Sequence, residues 1–500
     1  MTTSKTIIIE GALVVAAPGT TLRDGAVAVS GCDIVAVGTQ ADLRRRWPDA
    51  DLMSFPAGIV MAGLVNAHQH GRGLSQIQLG YHDDFLEPWI AGRRSRGVLD
   101  GHTVTKLAAA RMVANGVTTT IHANYSYGTG DYESELRGQI EAYQAVGLRH
   151  TMCVGAMDRG QLVYPPNEAC FMAGLDTDLQ TWLSRPGAVA YCKDGPATVA
   201  LMSALRKSYE GQPLTRFCYG PAGPQWVTDE TWTLLAADAR EHNLGLHLHV
   251  LESPAQRDAA KELFADGAIA YLQRVGALTE RTVLAHGVWV DERDMDLIAR
   301  AGATVVRNPG CNIRMRNGIA PLARYLKHGV RVAIGTDNCS MQDDEDLLSE
   351  LRLAGNLARE PDWQGAAPPT SDDLVAMATI NGSIAAQFGD ETGLLAAGRR
   401  ADIAVFSLER TTVPYLDDDM PLLEAFLARG VGADALMTMV DGRVLYRDGR
   451  HLDTDIAELE ARAREAAFAA RRPADPANTA RTHALRAALG GHYRKFSGQH

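Results

Sequence analysis

What this chain of 500 residues lacks narrows its identity first. It has no uninterrupted run of about 18 apolar residues, so no helix is expected to cross a membrane. Its cysteines number seven, an odd count, widely spaced and without a Cys-x-x-Cys pair. That argues against a disulfide framework and for reduced thiols in the cytoplasm. No basic stripe occurs either. The 49 Lys and Arg are outnumbered by 60 Asp and Glu, for a formal charge of -11. Nucleic acid is therefore not an expected partner, and the acidic surface favours solubility. The apolar run after the first few residues is too short for a signal peptide. Repeats and low-complexity tracts are missing too.

An ordinary soluble composition remains, 46% hydrophobic and 22% charged, long enough for a large barrel and a smaller domain. Strand-like runs at residues 6–9, 12–16, 26–30 and 33–37 alternate with turn dipeptides, and the same texture returns at 401–407, 435–440 and 443–446. Residues 1–57 and 393–455 are therefore expected to form one β-sandwich from both termini. Between them, residues 58–392 alternate helix and strand. Thr228 can cap one helix, Asp291 begins another that stops at Gly302, and strands follow each. About eight such units predict a (β/α)8 barrel of parallel strands. Residues 456–500 read as a surface helix to Arg472 and then a polar tail.

Five metal-capable residues stand at or beside the ends of the buried strand-like runs. His68 and His70 follow residues 59–67, His249 lies in 245–250, His286 follows 281–285 and Asp337 follows 330–336. Parallel barrel strands bring their carboxyl ends to one mouth, so residues spread over half the chain become neighbours. His68 and His70 are two apart on a strand and share a face, and imidazole is a common zinc ligand. His247 and His249 also share a face. His249, nearer the strand end, is the preferred ligand, and His247 the deeper residue. Glu252 lies just beyond and can move protons to and from a substrate; alternatively it is the acid before a helix starting at Ser253-Pro254. His122 ends the run 117–121 and is a candidate substrate contact. Lys193 after residues 188–192 is an alternative bridge between two metals once carbamylated, although 216–219 makes a better fourth strand. Asn312, Arg314 and Arg316 follow the seventh strand. They either bind an acidic or carbonyl-bearing substrate or are solvated loop residues.

The ordered segments carry a resemblance. They are Gly63-Leu-Val-Asn-Ala-His-Gln-His70, Asp83-Asp-Phe-Leu-Glu-Pro-Trp89, Gly116-Val-Thr-Thr-Thr120, His249-Val-Leu-Glu252, Ala285-His286-Gly-Val, Asn308-Pro-Gly-Cys-Asn312, Gly318-Ile-Ala-Pro321, Gly335-Thr-Asp-Asn338, and the stretch Gly393 to Asp402. Together they resemble the amidohydrolase superfamily, in particular its branch of aminohydrolases and chlorohydrolases acting on nitrogen heterocycles. The resemblance implies one divalent metal, zinc or sometimes iron, held by residues matching His68, His70, His249 and Asp337. It implies His286 beside the metal, and Glu252 as the proton-shuttling acid. Trp89, His122, Asn312 and Arg314 are the expected substrate contacts. It further implies a cytoplasmic homodimer or larger oligomer that hydrolytically deaminates an aminated purine-, pterin-, pyrimidine- or triazine-like ring. Loss of chloride or an alkylamine, and amide or lactam hydrolysis, are the alternatives on the same site; a non-catalytic relative is the third class. Three departures stand out. Pro221-Ala222-Gly223-Pro224 lacks the histidine that adenosine-type relatives carry there, which points towards 8-oxoguanine deaminases and triazine hydrolases. His122 stands where many relatives have aspartate, and residues 186–213 look enlarged.

Overall fold

A computed structural model describes residues 5–92, 97–160, 162–184, 191–192, 194–338, 340–361, 363–471 and 476–494. Its centre is an eight-stranded parallel sheet: β1 (Leu64–Gln69), β2 (Val117–His122), β3 (Arg149–Ala156), β4 (Thr215–Pro221), β5 (Gly245–Val250), β6 (Thr282–His286), β7 (Thr304–Arg307) and β8 (Arg331–Ile334). Each strand pairs with the next in chain order. A parallel bridge between Gln69 and Asp337 joins the two ends, and the Asp337 amide donates to the His68 carbonyl at 2.9 Å. The sheet is thus a barrel with helices between its strands. The strands are buried on both faces, as in other parallel sheets; every residue of β2, β3, β5, β6 and β7 is buried.

Local chemistry sets the helix ends. Thr228 caps the helix Asp229–Glu241. Asp291 and Asp294 form a reciprocal capping box at the start of Glu292–Ala301, and Gly302 ends that helix in the left-handed conformation at φ 69°. Ser253 caps Pro254–Leu263, with proline at the position where a missing N–H costs nothing.

The termini build one nine-stranded mixed sheet. Strand Asp51–Ala62 is its hinge, parallel to Ile7–Ala17 on one side and antiparallel to Ile403–Ser407 on the other. Alternate residues of this hinge serve two cores: Val60 and Ala62 face the sheet's own cluster, Ile59 and Met61 the helix layer of the barrel. The run 59–67, expected to be one strand, is therefore two strands in two sheets. Gly63 makes the break, because a Cβ there would sit 2.1 Å from the Thr118 side chain. Below the barrel, Arg149 is buried against Asp402 with two bonds of 2.9 Å and reaches Asp441 at 3.2 Å and the Pro213 carbonyl at 3.1 Å. This clamp ties barrel to terminal sheet.

The expected tail differs. After the helix Ile456–Ala470, residues Pro476–Arg494 form a second helix. Leu485 and Leu489 bury themselves against Ala91, Val163 and Phe171, and Arg486 pairs with Asp84 at the barrel's mouth side. Among the described residues no helix is long and apolar enough to cross a membrane.

Candidate metal centre

A bulge in β1 aims the first two histidines. β1 pairs with β2 at Asn66–Thr120 and next at Gln69–His122, three steps against two. The extra residue changes the phase of the strand. Below it, Val65 and Ala67 face the barrel interior with Ile121 and Val283. Above it, His68 and His70 face inward while Gln69 points out to Thr120 and Tyr143.

His68, His70 and His249 offer nitrogens within 4.8 Å of one another, and nitrogens of His68 and His286 lie equally close to a carboxylate oxygen of Asp337. Their outer nitrogens are held by the scaffold. His70 Nδ1 bonds the Ala123 carbonyl, and His249 Nδ1 bonds the Ala222 carbonyl at 3.0 Å. A carbonyl only accepts, so both rings carry their proton on Nδ1 and turn a Nε2 lone pair inward. His68 Nδ1 lies 2.7 Å from His247 Nε2. His247 thus lies against the side of His68 away from Nε2. Asp337 Oδ1 sits 2.9 Å from His70 Nε2 and 3.4 Å from His68 Nε2.

The fit to a metal rests on buried atoms without partners. His68 Nε2, His70 Nε2 and His286 Nε2 are all buried with no hydrogen-bond partner. Such atoms are costly unless something fills the space between them. Three imidazoles and a carboxylate match a divalent ion's preference for nitrogen and oxygen donors with a position left open. Burial holds His70 and His286 down to about 4, so both are neutral at physiological pH. Burial works against ionising Asp337, but the imidazoles of His68, His70 and His286 outweigh it and keep the carboxyl well below its usual range.

Glu252 lies beside this cluster, just outside the capped helix, and is buried. Its Oε2 is 3.7 Å from His286 Nε2, and its Oε1 accepts from Asn317 Nδ2 at 2.8 Å. Burial, then the charges of Asp337 and Glu87, push its carboxyl well above the ordinary value, which favours the protonated form. Asn312 Oδ1 accepts from His286 Nδ1 at 2.9 Å, which leaves Nε2 of His286 as an acceptor facing Asp337 Oδ2 at 3.5 Å. Backbone strain gathers here as well. Leu251, His286 and Asp337, at the ends of β5, β6 and β8, have φ of 48°, 74° and 57°, which non-glycine residues adopt rarely.

Not every expected contact is at the mouth. His122 pairs with the outward Gln69, so its ring points away from the barrel axis and bonds Tyr143 Oη at 2.8 Å. Its neighbour Ile121 faces the barrel interior, so alternation along β2 turns His122 outward. Arg314 is likewise not free for a substrate: it forks onto Asp83 at 2.9 and 3.1 Å and holds Asp343 at 2.8 Å and the Ser340 carbonyl at 2.7 Å. It joins the loops after β1, β7 and β8. Arg316 lies over the Phe85 ring at 4.0 Å. Asn312 serves His286. Trp89 packs with Leu86, Cys311 and Met315 into an apolar wall. Cys311 Sγ is within 4.8 Å of oxygens of Glu252 and Asp337, so that wall borders the reacting centre. Lys193 lies outside the described residues, as does part of the 186–213 segment. Sequence reasoning missed Tyr125, stacked on His70 at 4.5 Å between ring centroids with its hydroxyl 3.2 Å from His249 Nε2. It also missed Cys311 and Asn317. Only their place in the Asn308–Gly318 stretch hinted at a role.

Known proteins resemble this chain in sequence and fold. The profile described as the Amidohydrolase family matches residues 59–445. A 5'-deoxyadenosine deaminase of Methanosarcina barkeri is 28% identical over 453 residues, covering 89% of this chain and 93% of its own. A 5-methylthioadenosine/S-adenosylhomocysteine deaminase of Nitratidesulfovibrio vulgaris is 27% identical, covering 93% of this chain and 98% of its own. Among solved structures, an adenosine deaminase from Xanthomonas campestris with bound zinc aligns at a TM-score of 0.79 and 26% identity, over 94% of this chain and 99% of that one. An atrazine chlorohydrolase from Arthrobacter aurescens complexed with zinc shares the fold at a TM-score of 0.76 and 24% identity, over 92% and 100% of the two chains.

Proposed function

The chain belongs to the amidohydrolase family, and on that premise we propose that it deaminates a small amino-heterocycle with the help of one divalent ion. It is a hydrolytic enzyme acting on C–N bonds. The observation that carries the proposal is the convergence of unpartnered, buried Nε2 atoms on Asp337, with Glu252 behind them. We assign His68, His70, His249 and Asp337 as the ligands. Zinc is the proposed native ion, because the Xanthomonas relative binds it; iron(II) is the alternative. The ion would supply Lewis acidity that turns water into a nucleophile near neutral pH.

The chain's own groups do the proton work. Glu252 arrives protonated and donates to the ring nitrogen next to the amino-bearing carbon. That carbon is a poor electrophile until the donation occurs. Asp337 accepts a proton from the attacking water, and neutral His286 offers Nε2 as a second acceptor. Oxygen adds to the carbon, a proton passes to the amino group, and the C–N bond breaks with loss of ammonia. Each positioned transfer is worth roughly 10²–10⁴-fold. Arg314 is engaged by Asp83 and Asp343, so its guanidinium is not the group offered to a substrate. The wall of Trp89 and Cys311 suits a planar ring.

The test is a screen of neutral aminopurines, adenine nucleosides, pterins, aminopyrimidines and triazines with zinc- or iron-loaded protein, scored by ammonia. Parallel chloride and alkylamine assays detect the other leaving groups. Silence across the whole panel in both metal forms would sink the proposal.

A further inference from the structure

Glu252 has two oxygens, and only one faces the chemistry. We propose that Asn317 is the positioning residue that fixes which one, a role that rests on the deaminase reading for its consequence but not for its geometry. Asn317 Nδ2 donates to Glu252 Oε1 at 2.8 Å, and both side chains are almost fully buried. An oxygen that accepts an amide N–H there is committed as an acceptor. Any proton on Glu252 then resides on Oε2, the oxygen turned towards His286. The carboxyl cannot present the wrong edge without leaving Asn317 buried and unbonded, which is costly.

The turn is built to hold this amide. Arg316 and Gly318 flank it with φ of 55° and 115°, both in the left-handed range. Its carbonyl accepts from Trp289 Nε1 at 2.8 Å, and its amide N–H donates to the Asn312 carbonyl at 2.8 Å. Gly318 is required because a Cβ would press on Val288 at 3.1 Å. These anchors are all backbone to the asparagine. Its side chain is left to Glu252, so substitutions there should spare the turn. The Glu252 backbone is held separately, by Gln256 Oε1 at 2.9 Å. The residue is therefore fixed at both ends, by two amides from different segments.

Two variants, Asn317→Asp and Asn317→Ala, test this in the full-length zinc-loaded protein. The first keeps the shape and loses the donor; the second removes the side chain. We expect kcat to fall about 10- to 100-fold in both, the loss of one buried hydrogen bond to the acid, with KM within about threefold and metal content unchanged. In a Glu252→Gln background the same changes should cost nothing further, because Asn317 acts only through Glu252. Additive losses in that cycle would overturn the role. Should no substrate be found, infrared difference spectra still decide it. The carboxyl band identified by its disappearance in Glu252→Gln should shift in both Asn317 variants. A band that stays in place overturns the proposal independently of any activity.

Discussion

The barrel's two ends are built from the same eight strands but treat buried polar atoms in opposite ways. At the floor, the Arg149 guanidinium spends its N–H groups on Asp402, Asp441 and the Pro213 carbonyl. At the mouth, the Nε2 atoms of His68, His70 and His286 point at one another's space and bond to nothing. A satisfied buried network holds a fold together; an unsatisfied one made of ligand-type atoms waits for something to complete it. The contrast teaches where stability and chemistry reside, and substitutions can break it.

The largest effect should come from the mouth. Asp337→Ala should release the metal and lower turnover by at least about 10³-fold, measured by elemental analysis and ammonia release, with folding retained. Glu252→Gln should keep the metal while turnover falls about 10²–10⁴-fold. At the floor the signs reverse. Arg149→Ala leaves Asp402 buried and unpaired, so the unfolding free energy should drop by about 3–5 kcal/mol in a denaturant titration. Turnover per folded molecule should hardly change; a loss of kcat matching that of Asp337→Ala would erase the distinction between the two ends.

Smaller effects sharpen the boundary. His249→Ala should abolish metal binding, whereas His247→Ala, which removes only the buttress of His68, should weaken it about 10- to 100-fold. The reverse order would exchange their roles. Glu345 tests the ring between the ends. It accepts from Thr336 at 3.0 Å, and Thr336 in turn is bonded to Asn66 across the seam of the barrel. Burial pushes its carboxyl up to about 8. A carboxyl raised on folding stabilises fully below its unfolded value and loses that contribution as pH rises towards 8. Glu345→Gln should therefore raise the Tm more at pH 8 than at pH 5, with a gain of no more than a few kcal/mol.

Much of this was legible because barrels place strand ends together. Residues 245–250 were read as a strand and observed as one, and the ligand-type residues gather as that geometry requires. Phase was not legible. An unbroken apolar run conceals the sheet change at Gly63, and nothing in His-x-His announces the bulge that aims His68 and His70 inward. Partners distant in sequence were hidden for the same reason. The destination of Arg314 depends on Asp83, 231 positions away. The helix Pro476–Arg494 is rich in Ala and Arg and buries few large side chains, so its pattern reads as polar tail until Leu485 and Leu489 meet Phe171. Ala222 is a further case. Its departure from the adenosine-type pattern concerns a side chain, whereas the atom the site uses is its carbonyl, which fixes His249.

One titration tests the central claim most directly. Zinc is added to metal-free protein while ammonia release from a turned-over heterocycle is followed. The mouth cluster described above predicts no release without metal and a rise that saturates at one ion per chain. Full activity in the metal-free protein, or saturation only at two ions per chain, would contradict it.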